Sequence, residues 1–139
     1  TSLTPFRNVC PVTYSRFLSE NFMEYQVREF INEKYTKAVN ILKDNLKEHY
    51  HVFYGLRLSE ILFPASEYGS DAFFNEFEAI NSITLPLIIF EMNERTPVAI
   101  IGFEQIAGAV FVEQLDIKVL VIDDLSELLT NETLDLLYN

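Results

Sequence analysis

The sequence predicts an α/β domain, a mixed sheet with helices on both faces. Three observations carry that expectation. Val27, Phe30, Ile31, Tyr35, Ala38, Leu42 and Leu46 recur at three- and four-residue steps, the spacing of one helix face. Two apolar runs, residues 85–90 and 98–103, are joined by Asn93-Glu94-Arg95-Thr96-Pro97, a hairpin loop of ordinary length. A third run, Lys118-Val119-Leu120-Val121-Ile122, follows a helix-like stretch. A hairpin followed by a helical crossover into another strand makes the sheet mixed.

Taken in order, residues 1–18, with Pro5 and Pro11, read as an irregular N-terminal arm, and residues 19–139 as a single domain. The first helix builds from Ser19 and ends near His49. Residues 52–58, β-branched and aromatic at first, read as a strand. Residues 59–64 read as a short helical turn stopped by Pro64, and residues 65–70 as a loop bent at Gly69. Phe73, Phe74, Phe77 and Ile80 predict a helix over 71–80. The run at 85–90 is too continuously apolar for a half-exposed edge, which makes it central. Pro86 lacks a backbone donor and belongs at that strand's start. Its partner is 98–103, and simple antiparallel pairing sets Glu91 near Val98. Residues 105–115 read as a helix and 118–122 as a short, fully buried strand. Asp124-Leu125-Ser126-Glu127 has capping-box spacing, with Asp124 at the N-cap, and opens a last helix through Leu137.

At 139 residues the chain has one domain's length, and 49% hydrophobic residues with a mean hydropathy of +0.11 fit a full core. No run approaches the ~18 apolar residues of a membrane span. The single Cys10 can form neither an internal disulfide nor a zinc site. With an opening Thr-Ser-Leu-Thr-Pro that shows no basic-then-apolar leader, it predicts a cytoplasmic protein. Charge is divided sharply. Residues 1–70 balance eight Lys/Arg against eight Asp/Glu, whereas residues 71–139 hold Arg95 and Lys118 against thirteen acids. The net charge of −11 therefore lies in the second half. Nucleic-acid binders present a basic face, so direct nucleic-acid binding is disfavoured. Such acids serve first as a solvated surface.

Most chemistry-bearing residues have ordinary explanations. His49 and His51 would share a strand face, but no third ligand lies near them in sequence. A helix C-terminus favours His⁺ at His49. Asp123-Asp124 is explained by capping. Cys10 has no neighbouring base to lower its pKa. Ser59 and Ser126 lack a nucleophile-elbow context, and the four glycines lack phosphate-loop spacing. Twelve Phe and seven Tyr, without Trp, are expected mostly in the core. An aromatic partner surface around Phe63, Tyr68, Phe73, Phe74 and Phe77 is the other use for them.

The stretches HVFYGLRLSEIL (51–62), LPLIIFEMNERTPVAIIGFE (85–104) and VFVEQLDIKVLVID (110–123) together resemble the α-β-β-β-α-β core of the PD-(D/E)xK, restriction-endonuclease-like nuclease superfamily. The likeness is nearest to a small bacterial branch related to very short patch repair endonucleases. It rests on pattern and element order across most of residues 26–125. The family places an Asp at the start of the second core strand and an E-x-K or D-x-K triplet on the third. Two carboxylates hold Mg²⁺ through hard oxygens, the ion activates water, and the Lys helps to position it. Here the second strand opens Thr84-Leu85-Pro86, and the third reads Ile101-Gly102-Phe103-Glu104-Gln105-Ile106. With Glu104 as the acid, Ile106 takes the Lys position. With the register two earlier, Gly102 replaces the acid. Neither restores the triplet, and no Lys is near in sequence.

Three readings follow. The first is a non-catalytic nuclease-like domain that acts as a protein-interaction or regulatory module, without a cofactor and with an unidentified protein partner. The second is a Mg²⁺- or Mn²⁺-dependent DNA nuclease with a rearranged site, for which Glu104, Glu76 and Glu78 are the catalytic candidates and Glu104 the metal candidate. The third is an acidic DNA mimic. Oligomeric state is not legible.

Overall fold

A computed structural model describes residues 24–139. The arm at 1–18, Cys10 and the helix start at 19–23 lie outside the described residues. Residues Ile31–Asn139 form one compact unit, to which the fold below belongs.

The first helix, α1, spans Glu33–Asn45, well inside the expected 19–49. Residues 24–31 carry no helix, because Asn32 caps the chain at that point. Its side chain accepts from the Tyr35 N–H at 2.8 Å, and its carbonyl accepts from the Thr36 hydroxyl at 2.7 Å. Asn at this position satisfies a first-turn donor and starts the helix there. Ala38 and Leu42 are fully buried, and the helix ends at an extended Leu46. The strand β1 is Tyr50–Tyr54. It begins two residues before the expectation and stops early because Gly55 turns the chain at φ 79°.

After a 3-10 turn at Leu58–Glu60, α2 occupies Asp71–Asn81, with the Ser70 hydroxyl accepting from the Phe73 N–H. β2 is Leu87–Glu91 and β3 is Thr96–Gly102. α3 is a single turn, Ala109–Val112, where eleven helical residues were expected. Gly108 at φ 89° precedes it, and two of its four residues are β-branched, a poor nucleus for a longer helix. β4 is Lys118–Val121. The last helix is two: α4, Glu127–Thr130, and α5, Glu132–Asp135. Asn131 divides them, extended at ψ 126°, with its side chain accepting from Thr133 and Leu134 N–H groups. Half of the expected capping box forms. The Glu127 carboxylate reaches back to the Asp124 N–H at 2.9 Å, but the residue capping α4 is Ser126, not Asp124.

The sheet order is β1-β2-β3-β4, antiparallel for the first two pairings and parallel for the last. β2 is central, as its apolar run requires. Leu87 and Ile89 join one cluster, with Ala99 and Ile101, under α1, α4 and α5. Ile88, with Ile100, joins the other, against Leu58, Ile80 and Val112. Helices therefore cover both faces. Two expectations fail. β4 is an edge strand among the described residues, with β3 as its neighbour and Val121 53% exposed. Glu91 lies opposite Thr96, not Val98: the Leu87–Ile101 register already sets it opposite Pro97, and the ladder shift at Ile89/Phe90, which leaves Val98 unpaired, moves it one residue further. No helix among the described residues is long and apolar enough to cross a membrane.

Candidate functional site

The start of β2 and the end of β3 meet where the resemblance places a nuclease centre. Leu87 pairs with Ile101, so Pro86 stands beside Gly102. A Cβ on Gly102 would lie 3.0 Å from Ile106 Cγ1 and 3.1 Å from Pro86 Cγ. That approach is closer than most carbon contacts allow, so a side chain here would require Ile106 and Pro86 to give by a few tenths of an ångström. Leu85 and Ile106 are 1% and 5% exposed and complete an apolar corner. Family registry would need an acid or a lysine at Gly102 or Ile106. A side chain at Gly102 would press on Ile106 and Pro86, and the Ile106 position is itself buried among apolar neighbours.

Glu104 is exposed just past β3 and makes no hydrogen bond or ion pair among the described residues. Glu76 and Glu78 are exposed on α2, and the Glu76 carboxylate accepts from the Ser66 hydroxyl at 2.8 Å. No group of three or more His, Cys, Asp or Glu able to hold a metal ion occurs among the described residues. Beside the solvated Glu104 the corner is apolar at Leu85, Pro86 and Ile106, a poor match to a divalent cation's hard-oxygen preference.

One basic residue missed in the sequence does arrive. Lys34, on α1, sets its Nζ 4.2 Å from the Phe103 ring centroid and donates to the Asp123 carbonyl at 3.0 Å. No sequence signal could have paired residues so far apart. Its charge rests on an aromatic face and a backbone oxygen. His49 and His51 do not converge. His49 lies in the turn before β1, its Nε2 3.8 Å from Glu91, while His51 is exposed on the strand.

The expectation of buried aromatics fails along the opposite flank of α2. Phe73 is buried, but Phe63, Tyr68 and Phe74 around it are 68%, 79% and 57% exposed. Their rings pack on Phe73 at centroid distances of 5.1, 4.9 and 5.7 Å. Phe63 also borders a groove of 420 Å³ between α2 and α3, walled by Leu62, Pro64, Ala79, Ile80 and Phe111. Asn75 and Glu76 are its polar residues.

Comparison with protein-family models, with curated proteins and with solved structures finds no match for this chain.

Proposed function

We propose that the chain is a non-catalytic binding module on a restriction-endonuclease-like architecture. The observation that carries the reading is the apolar closure of Pro86 and Ile106 over Gly102. A phosphodiesterase centre of that family needs converging carboxylates and a lysine. With the 3-10 turn and α2 inserted between β1 and β2, the order helix, strand, strand, strand, helix, strand and its antiparallel-antiparallel-parallel sheet support the architecture. The exposed aromatics beside α2 support binding, since large exposed apolar patches mark interaction surfaces. The acidic second half argues against a nucleic-acid ligand.

A second reading draws on one observation. Lys34 and Glu104 flank Phe103, an acid and a base at one end of the sheet, which a rearranged metal-dependent nuclease would use. Thermal melts with and without excess Mn²⁺, on the wild type and on Glu104→Ala, separate the two. Binding at 100 times the dissociation constant adds ~2.7 kcal/mol and raises the midpoint by roughly 5–10 °C. The module reading expects no rise in either protein and no cutting of supercoiled plasmid. A rise and a cutting activity that both vanish in Glu104→Ala overturn it.

A further inference from the structure

The groove between α2 and α3 joins three features. Its walls are apolar, and two of them, Phe63 and Phe111, stand 68% and 44% exposed. It encloses 420 Å³ in the cleft between α2 and α3. The one charged residue of its lining is the acid Glu76, whose carboxylate accepts from the Ser66 hydroxyl at 2.8 Å. All of its residues come from the stretch 58–117, in which Arg95, in the β2–β3 turn, is the only cation.

We propose that this groove docks an amphipathic helix of a partner protein, with an apolar face seated between Phe63 and Phe111 and lysines or arginines flanking it toward Glu76. The proposal rests on the binding-module reading and names the partner's chemistry. A helix laid in a groove presents apolar anchors at three- and four-residue spacing, which an open trough with aromatic walls accepts. Charge complementarity selects the basic flanks. A nucleic acid, an anionic membrane surface and a second copy of this chain, at −11, all bring the wrong sign to the rim.

The test uses a fluorescein-labelled peptide of about fourteen residues, leucine and lysine at helical spacing, and a matched leucine–glutamate peptide, read by anisotropy. Saturable one-to-one binding of the lysine peptide alone is expected. Phe63→Ser and Phe111→Ser should weaken it at least tenfold. Glu76→Lys, which reverses the charge and gives up the Ser66 hydrogen bond, should weaken it several-fold at low salt and less as salt rises. Glu76→Gln, which keeps an acceptor for Ser66, should weaken it less. Circular dichroism verifies that each variant is folded. Absence of binding, equal binding of the glutamate peptide, or binding indifferent to both Phe changes overturns the proposal. So does a dimer, seen by sedimentation, that Phe63→Ser dissociates. A peptide failure removes the groove proposal alone, whereas a Mn²⁺ response lost in Glu104→Ala removes the module reading whatever the peptide does.

Discussion

One face of the sheet lies under α1, α4 and α5, the other under α2, α3 and the 3-10 turn, and the two covers differ in completeness. On the first, Ala38, Leu42, Leu128 and Leu134 are fully buried against Leu87, Ile89 and Ile101. Two tyrosines stitch it. The Tyr35 hydroxyl accepts from the Phe103 N–H at 3.1 Å, and the Tyr138 hydroxyl donates to the Leu128 carbonyl at 2.7 Å. On the second face the cover thins where α3 contributes a single turn. Val110 and Phe111 remain 69% and 44% exposed there, and Phe53 on β1, packed edge-on against Phe90, is 40% exposed. The first cover leaves Leu129 and Leu136 exposed on its outer side but packs its inner side fully. The second leaves apolar surface open beside the sheet, and the groove lies in that open cover.

The largest expected effect tests the sealed face. Leu42→Ala should destabilise by ~2–5 kcal/mol, the range for a buried leucine that leaves a cavity. Truncation of the exposed Phe63 should cost under ~1 kcal/mol. Urea denaturation of both variants decides it, and equal losses would break the comparison.

The corner at Gly102 comes next. Gly102→Ala should cost ~1–3 kcal/mol, because the new methyl meets Ile106 and Pro86 at 3.0 and 3.1 Å. Ile106→Ala alone opens a cavity, yet the double variant should fall short of the summed losses by ~0.5–3 kcal/mol. Strict additivity would show a corner loose enough to admit a polar group, and would reopen the nuclease reading.

The smallest effect is Tyr138→Phe, which deletes one hydrogen bond and should cost ~1 kcal/mol at neutral pH. Burial, with the Asp135 charge adding to it, pushes the Tyr138 phenol from 10.0 up to about 12. The folded chain therefore holds this proton where the unfolded chain has released it. Stability from this group is intact below pH 10 and is lost as pH rises from 10 to about 12. The Phe variant should lose less than the wild type over that window in urea titrations. Parallel alkaline losses would place Tyr138 outside the packed cover.

Much of this was legible because short-range pattern is strong where burial is two-sided. The run Leu87-Ile88-Ile89-Phe90 declares a central strand, since alternate residues face two separate clusters. Ser70 and the spacing of Phe73, Phe77 and Ile80 mark α2 almost to the residue. The stripe from Val27 to Leu46 misleads at its front, because a capping Asn32 outweighs apolar periodicity. Residues 118–122 look buried because β-branched composition does not distinguish a strand with two neighbours from one with a single neighbour. At the candidate site, Gly102 was legible only as a residue in an acid's place, because the neighbours that crowd it, Pro86 and Ile106, are set by strand pairing and packing.

The sequence by itself determined the alternation of helix and strand, the central place of β2, the acidic second half and the lack of a lysine two residues after Glu104. Each depends on residues close together in the chain or on composition alone. Tertiary structure decided which neighbours fill each space. It placed Pro86 and Ile106 against Gly102, carried Lys34 to Phe103, made β4 an edge, and left Phe63 and Phe111 bordering a groove. These depend on side chains distant in sequence competing for the same volume, a contest settled by close packing and not by local preference.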